Sequence, residues 1–276
     1  MSIIKNDFEK MNIIKIKNSK NNKKLTVITA YDALFAKLFE DIADMILVGD
    51  SLNMSFAGRE DTLSATLEQM IYHTNAVCTG APKAFVIMDM PFGTYINKDE
   101  ALRNCIEVYK LTKAAAVKIE GGADKADIIK HLTSNSIAVM GHIGLMPQYV
   151  RSEGGYKVRG KTLEDEKQLI KDAIAVEKAG AFAIVVEGVM SNVAKKITEA
   201  VNIPIIGIGA GNVTDGQVLV WSDMLGLFSE FKPKFVRHYM QGASLVRDAV
   251  NQYRNDVQDS SFLFRDEEYF YIWIVL

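Results

Sequence analysis

The chain has few of the residues that build metal clusters and disulfide frameworks. Its 276 residues include only two cysteines and four histidines. Cys78 and Cys105 lie far apart in the sequence and lack the short spacing of paired metal ligands. This usage excludes a disulfide scaffold and favours a reducing compartment. We expect both cysteines to be packing residues in helices.

Long apolar runs and long blocks of one charge are also missing. No window reaches the roughly 18 apolar residues of a membrane span. The first ten residues, MSIIKNDFEK, carry charges where a signal peptide needs its apolar segment. The net charge is −2, and the basic patch at 20–24 is short. We therefore expect a soluble cytoplasmic protein whose partners include neither nucleic acid nor a membrane.

Four short apolar runs each lead into an acidic residue. The run MILVGDS at 45–51 reaches Asp50, and three later runs end at Asp89, Glu120 and Glu187. Such runs are typical of buried parallel strands, whose carboxyl ends meet at one edge of a sheet or one mouth of a barrel. A single acid there commonly caps the next helix. Four acids together would repel one another and favour a hard cation such as Mg²⁺.

The fourth strand carries a second charged residue. Lys118 and Glu120 are two residues apart in AAVKIE, so both side chains face the same side of the strand. Charged groups on the inner face of a buried strand need a partner or a function. We therefore count Lys118 among the candidate site residues.

Strand and helix patterns alternate along the chain, which predicts a single-domain α/β fold, the (βα)8 TIM barrel. A doubly wound open sheet is the alternative, and the count of eight strands favours the barrel. We divide the chain into an N-terminal helix and polar turn (1–23), the barrel (24–257) and a C-terminal tail (258–276). The strands are expected at 25–30, 45–51, 84–89, 115–120, 137–141, 182–187, 203–208 and 217–221, with a closing helix at 234–257.

The longest stretch without a predicted element runs from His142 to Thr162. Loops of this length in a compact domain are commonly lids or binding loops, and we interpret this one as a candidate lid. His142 is as well suited to orienting its neighbours as to catalysis. The other three histidines, His73, His131 and His238, fall in predicted helices and are interpreted as structural.

Nine motifs, in order, closely resemble the ketopantoate hydroxymethyltransferase family over about residues 20–257. They are LVGDS (47–51), YHT (72–74), MDMPFGTY (88–95), VKIEGG (117–122), MGHIGLMPQ (140–148), GGYKVRG (154–160), EKAGAFAIVVE (177–187), IPIIGIGAGNVTDGQVLV (203–220) and PKF (233–235). The resemblance implies a Mg²⁺-dependent barrel enzyme of pantothenate biosynthesis. Such an enzyme transfers the one-carbon unit of 5,10-methylenetetrahydrofolate to 3-methyl-2-oxobutanoate and forms 2-dehydropantoate.

The resemblance also assigns roles to individual residues. Asp50, Asp89 and Glu120 match the acids of the family's metal site. Ser51 and Lys118 match substrate-contacting positions, and the two aspartates would reach the substrate through the metal. Glu187 matches the catalytic base. The family forms homo-oligomers, commonly decamers, so a homo-oligomer is expected here.

The chemistry of a 2-oxo acid agrees with this assignment. Its keto and carboxylate oxygens can chelate Mg²⁺, which then stabilises the enolate formed when a base removes the proton from C3. Glu187 stands apart from the metal acids and is the natural base. A glutamate normally titrates at about 4.3, so burial would have to raise its pKa to make it a useful base near neutral pH. The residues that contact the folate are not predicted.

Three segments depart from the family pattern. Asn53 stands where glycine is usual, Gly188-Val189-Met190 replaces Cys-Val-Pro, and residues 260–276 end in an apolar, aromatic run. Two other functions are weighed. A lyase or mutase of the phosphoenolpyruvate and isocitrate lyase type should carry a cysteine in its lid, and 142–162 has none. A catalytically silent scaffold should have lost one of the assigned acids or Lys118.

Overall fold

The computed structural model describes residues 10–228, 232–263 and 267, and its centre is a closed barrel of eight parallel strands. The strands follow one another around the barrel in chain order, and β1 pairs with β8 to close it. This confirms the predicted (βα)8 class. The strands are β1 (Leu25–Thr29), β2 (Met45–Val48), β3 (Val86–Asp89), β4 (Ala116–Glu120), β5 (Val139–Gly144), β6 (Ala183–Glu187), β7 (Ile205–Ile208) and β8 (Gly216–Leu219).

The helices begin where the sequence supplies capping side chains. Thr66 and Gln69 form a reciprocal capping box, and Asn97 accepts a hydrogen bond from the main chain of Glu100. Two short 3₁₀ turns, Ala123–Lys125 and Pro147–Tyr149, occur between elements. The α-helices are α1 (Ile13–Asn18), α2 (Ala33–Phe39), α3 (Leu52–Ser55), α4 (Leu67–Gly80), α5 (Lys98–Leu111), α6 (Ala126–Ser134), α7 (Leu163–Lys178), α8 (Ser191–Ala200), α9 (Trp221–Met224) and α10 (Gly242–Gln258).

The core at the amino end of the barrel explains the N-terminal helix. Ile16 of α1 is fully buried and belongs to one cluster with Leu25, Phe85 and Phe182. Phe85 and Phe182 meet edge to face, with ring centroids 5.7 Å apart. Burying a side chain such as Ile16 contributes about 1.5–3 kcal/mol. The helix therefore plugs the barrel end opposite to the carboxyl ends of the strands.

Several predicted boundaries are wrong. Strand β5 extends to Gly144 rather than ending at residue 141, so the start of the expected 142–162 loop is sheet. The eighth strand ends at Leu219, and Trp221 begins a helix. The closing helix begins at Gly242, which leaves His238 outside any helix.

The pattern of alternation also differs from the prediction in its last quarter. Among the described residues, β7 connects to β8 without an intervening helix. Helix α8 begins at Ser191, with Met190 as its cap. Asn53 lies in α3, and its side-chain amide donates to the carbonyl of Asp61 (2.7 Å) and to the hydroxyl of Ser64 (2.9 Å). Asparagine is thus accommodated there in ordinary helical backbone.

The remaining expectations concern packing and the chain ends. Cys78 and Cys105 are buried and free in α4 and α5, as predicted. None of the helices described here is long and apolar enough to cross a membrane. The described chain forms two compact units, one running to Trp221 with residues 234–236 and one holding the rest. The division at 23 and 257 stays a prediction, and most of the 258–276 tail lies outside the described residues.

Candidate active site

The carboxyl ends of the strands surround a cavity of about 90 Å³. It brings together all the candidate catalytic, substrate-binding and metal-binding residues predicted from the sequence. Asp89, Glu120 and Glu187 are the last residues of β3, β4 and β6, and Asp50 follows β2 by one glycine. The full lining includes Asp50, Ser51, Asp89, Lys118, Glu120, His142 and Glu187. The prediction that these acids converge is confirmed.

The strand register explains why these side chains meet. Asp89 lies opposite Lys118, and Glu120 lies opposite His142 in the next strand. Lys118 and Glu120 are two residues apart on β4, so both face into the barrel, as the period of a strand requires. Asp89, Lys118, Glu120 and His142 are each at most 4% exposed. The barrel therefore holds four ionisable side chains in a largely dry interior.

Lys118 is the cation at the centre of the group. Its Nζ lies 3.1 Å from Oδ1 of Asp89 and 3.8 Å from Oε1 of Glu120. Burial lowers the pKa of Lys118, but the charges of Asp89, Glu120 and Asp50 outweigh burial and raise it. Lys118 is therefore held as an ammonium ion that offsets part of the negative charge.

The two aspartates are not fully compensated by that lysine. Burial and the charges of Asp89 and Glu120 raise the pKa of Asp50 well above its ordinary value. Burial also raises the pKa of Asp89, against the lowering effect of Lys118. Glu120 differs, because His142 and Lys118 outweigh its burial and lower its pKa. The excess negative charge is thus concentrated at the two aspartates.

His142 stands between two glutamates. Its Nδ1 is 3.4 Å from Oε1 of Glu120, and its Nε2 is 3.4 Å from Oε2 of Glu187. Burial and Lys118 lower the pKa of His142, but the two glutamates outweigh them and raise it to about 9. The Glu187 side chain is 21% exposed, so it is less buried than the inner acids.

Gln148 is the residue that sequence reasoning missed. It belongs to the 3₁₀ turn after β5 and is 4% exposed. Its amide nitrogen donates to Oδ2 of Asp50 (2.8 Å) and to the main-chain carbonyl of Met90 (2.9 Å), and its main-chain N–H donates to Oε2 of Glu120 (3.0 Å). A glutamine following Met-Pro inside a long predicted loop gave no signal of burial. The motif in which it stands was recognised, but its role was not.

Ser51 is held by a second buried polar group. The hydroxyls of Ser51 and Tyr31 are 2.9 Å apart, and Tyr31 is only 1% exposed. Nδ1 of His73, on α4, lies 2.7 Å from the main-chain carbonyl of Tyr31. His73 therefore has a structural contact one step removed from the cavity, as its structural interpretation predicts.

Comparison with known proteins identifies the family. The ketopantoate hydroxymethyltransferase family pattern matches residues 10–263. The chain belongs to this family. The 3-methyl-2-oxobutanoate hydroxymethyltransferase of Aliarcobacter butzleri is 86% identical over 269 residues, which cover 98% of this chain and all of that protein. The protein of the same name from Helicobacter pylori is 52% identical with the same coverage.

Solved structures with the same barrel fold have low sequence identity to this chain. Phosphonopyruvate hydrolase in complex with oxalate and Mg²⁺ superposes with a TM-score of 0.60 at 12% identity, covering 91% of this chain and 88% of that one. The 2,3-dimethylmalate lyase, a member of the PEP mutase/isocitrate lyase superfamily, gives 0.58 at 15% identity, with 88% of each chain covered. At this identity the likeness establishes the barrel fold alone. The family relatives make this chain an enzyme of the transferase class.

The cavity of this ketopantoate hydroxymethyltransferase family member fits a small cation. Oδ1 of Asp89 and Oε1 of Glu120 are buried and make no hydrogen bond in the structure, an arrangement that is unfavourable unless something else binds them. Within the described residues, no three His, Cys, Asp or Glu side chains form a preassembled metal cluster. Lys118 lies beside both of these oxygens, 3.1 Å from Asp89 and 3.8 Å from Glu120. Asp50 and Asp89, with their raised pKa values, are the acids that a cation would stabilise most.

Proposed function

We propose that this enzyme transfers the one-carbon unit of 5,10-methylenetetrahydrofolate to 3-methyl-2-oxobutanoate and forms 2-dehydropantoate in pantothenate biosynthesis. The names of the relatives support the acceptor and the reaction type. The observation that carries the proposal is the separation of the acids into two groups. Asp50, Asp89 and Glu120 surround Lys118, whereas Glu187 lies beyond His142 at the mouth of the cavity.

The first group is suited to bind the oxo acid with Mg²⁺. Asp50 and Asp89 would hold the ion, and Glu120 completes the set with its free Oε1. When bound, Mg²⁺ would supply the positive charge that stabilises the enolate of the oxo acid. Lys118, an ammonium ion at the same place, would offset the charge of the substrate carboxylate. Ser51, positioned by Tyr31, would contact the substrate.

Glu187 is suited to remove the proton from C3 of the substrate. Its main chain is fixed on both sides, because its carbonyl accepts from Leu145 (2.8 Å) and the next residue, Gly188, donates to Ile208 (2.9 Å). Its carboxylate is partly exposed and so can be reached from the mouth. General bases must lie within hydrogen-bond reach of the proton that they remove. Glu187 lines the same cavity as the inner acids, which supports its assignment as the base for a substrate bound there.

The segment after β5 lies beside the inner acids and is hydrogen-bonded next to Glu187. Residues 147–149 form a turn beside the cavity, and only 150–158 remain an exposed connection. Arg151 pairs with Asp61 (2.9 Å), and Arg159 donates its main-chain N–H to Gly188 (2.8 Å). The candidate lid is therefore reduced to 150–158, anchored at both ends. We propose that this shorter segment limits the access of water to the folate donor.

Proton exchange at C3 tests the central step. The substrate would be followed by NMR in D₂O with Mg²⁺ and the enzyme, before any folate is added. The wild type should exchange the C3 proton, and Glu187→Gln should not, although both should still bind the metal. Glu199→Gln is the matched control, because Glu199 lies on the exposed surface of α8.

Addition of 5,10-methylenetetrahydrofolate then tests the transfer itself. The wild type should form 2-dehydropantoate only when the donor is present. Normal exchange by Glu187→Gln would rule out Glu187 as the base. Cleavage of the oxo acid without any donor would instead support a lyase. Within the described residues, both cysteines lie buried in outer helices, so nothing here supports the cysteine-dependent alternative.

A further inference from the structure

The three inner acids share a feature that their proposed role does not require. Each has one carboxylate oxygen occupied by an N–H donor of the protein. Oδ2 of Asp89 accepts from the main chain of Asp50 (3.1 Å), Oδ2 of Asp50 accepts from the amide of Gln148, and Oε2 of Glu120 accepts from the main chain of Gln148. The other oxygens of Asp89 and Glu120 are buried without a hydrogen bond and lie 3.1 and 3.8 Å from the ammonium group of Lys118. Each of the three acids therefore offers a cation at most one oxygen that no N–H group occupies.

Two of these three donors belong to Gln148, and its orientation is fixed by its neighbours. The carbonyl of Met90 can only accept a hydrogen bond, so the atom of Gln148 that faces it must be the amide nitrogen. The buried hydroxyl of Tyr95 donates to the amide oxygen on the other side. Rotating the amide would place its oxygen against the Met90 carbonyl and Oδ2 of Asp50, where no hydrogen bond can form. Asp50 is thus always presented with an N–H group at its Oδ2.

We propose that Gln148 is a positioning residue that restricts Asp50 to a single free oxygen and so makes the site select Mg²⁺ over larger cations such as Ca²⁺. This inference rests on the proposed function, since it concerns the ion placed at Asp50 and Asp89. Mg²⁺ requires near-octahedral geometry at about 2.0–2.1 Å, with one oxygen from each carboxylate. Ca²⁺ takes roughly 6–8 oxygens and commonly binds both oxygens of a carboxylate. An occupied Oδ2 removes that second oxygen.

The substitution that tests this is Gln148→Met. Methionine has a similar length and volume but no donor, and the main-chain N–H to Glu120 is retained. Oδ2 of Asp50 is then free to bind a cation. Tyr95→Phe is a second variant, which keeps the amide and removes only the hydroxyl that orients it. Gln217→Met is the matched control, because the Gln217 amide bonds only to Gly211 and Thr214, away from the acids.

The measurement is cation competition without substrate. Bound Mn²⁺ is counted by electron paramagnetic resonance and displaced with Mg²⁺ or Ca²⁺, which gives the ratio of the two affinities for each folded variant. Loss of an outer hydrogen bond to a metal ligand commonly changes affinity by about 10–100-fold. We expect the preference for Mg²⁺ over Ca²⁺ to fall about tenfold in Gln148→Met, by less in Tyr95→Phe, and not at all in Gln217→Met.

The possible failures are distinguishable. If the wild type binds Mn²⁺ and Mg²⁺ but the ratio is the same in Gln148→Met and Tyr95→Phe, this inference is overturned and the proposed function stands. If the wild type binds none of the three ions, the proposed metal site is overturned and the inference fails with it. If Gln148→Met does not fold, Gln148→Leu, which also lacks the amide, replaces it, and an unchanged ratio in that variant rejects the inference.

Discussion

Nε2 of His142 lies 3.4 Å from Oε2 of Glu187, while Nδ1 of the same ring lies 3.4 Å from Oε1 of Glu120. One buried side chain therefore connects the proposed base to the proposed metal acids. It reaches both because β5 runs between β4 and β6 and continues past residue 141. The ring keeps Glu187 beside the inner acids through a charge contact, because Nε2 makes no hydrogen bond within the described residues.

His142→Gln should slow the reaction without removing the metal site. A misplacement of about 1 Å in a reacting group can lower a rate roughly 100-fold, so we expect the exchange rate at saturating oxo acid to fall about 10–100-fold. The KM for the oxo acid should change much less, because the binding groups remain. A fall confined to KM would contradict the positioning role. His131→Gln is the control, because His131 lies on helix α6 and its ring is 3.9 Å from the exposed Asp99 carboxylate.

Gly144 connects backbone geometry to the same base. Its φ of +99° is unfavourable for other residues, and an added Cβ would lie 2.3 Å from the carbonyl oxygen of Glu187. Gly144→Ala should therefore lower stability by about 1–3 kcal/mol for the backbone and also displace the end of β6. Gly93→Ala is the control, because Gly93 has a φ of +84° and no atom within 4 Å of an added Cβ. It should therefore lose backbone stability without displacing any strand. Thermal unfolding and exchange rates of the two variants separate them, and equal losses of activity would reject the proposed displacement.

The sequence predicted the positions of the acids because strand ends are local. An apolar run followed by an acid locates Asp89, Glu120 and Glu187 at strand ends, and parallel pairing places those ends together. The same reasoning failed at β5, where Gly141 and His142 look like the end of a strand. Gly141 lies within β5, and the residue there must be glycine because an added Cβ would lie 2.4 Å from Val176 of α7. That close approach of helix and strand is a tertiary contact, which no local pattern reports.

The role of Gln148 could not be predicted for a related reason. Its four hydrogen bonds reach residues 28 to 98 positions away in the chain. Periodicity and turn chemistry describe neighbours in sequence only. The resemblance to a known family placed MGHIGLMPQ among its motifs and so marked the segment, but it assigned no contact to the glutamine. The contact network of the site came from the structure, whereas the set of charged groups came from the sequence.

The Arg159–Asp165 pair should make the anchor of the 150–158 segment dependent on pH. Despite some burial, hydrogen bonds from Arg159 and from the main chain of Gly160 lower the pKa of Asp165 below 3.8. A lowered pKa means that the stabilisation is present above 3.8 and is lost as the pH falls through the lower value of the folded state. Asp165→Asn should therefore be less stable than the wild type by about 1 kcal/mol at neutral pH.

Urea unfolding at several pH values measures this difference. The gap between the wild type and Asp165→Asn should narrow as the pH falls through 3.8. Glu164→Gln is the matched control, because it neutralises the adjacent, exposed acid in the same first turn of α7 and leaves Arg159 paired. A gap that widens in acid would show that Asp165 stabilises the anchor through something other than its charge.

Asp50→Asn should weaken Mg²⁺ binding and, without metal, raise the free energy of unfolding. Burial and the charges of Asp89 and Glu120 raise the pKa of Asp50, so the folded state holds its proton more tightly than the unfolded state does. Ionised Asp50 therefore weakens the fold, increasingly so as the pH rises through the raised value. Asparagine keeps an acceptor for Gln148 and removes the repulsion. Without added metal, we expect the variant to gain about 1 kcal/mol, or roughly 2–4 °C in Tm at neutral pH.

Adding Mg²⁺ should make the Tm of the wild type higher than that of Asp50→Asn. A ligand that binds only the folded state raises stability in proportion to the logarithm of its concentration above Kd, so the wild type should gain Tm with increasing Mg²⁺ while Asp50→Asn should not. Asp41→Asn, which alters an exposed acid before β2, should behave as the wild type does. An Asp50→Asn variant that starts below the wild type and still responds to Mg²⁺ would contradict both parts. That result would mean that Asp50 is stabilised by its protein neighbours and that the cation binds elsewhere.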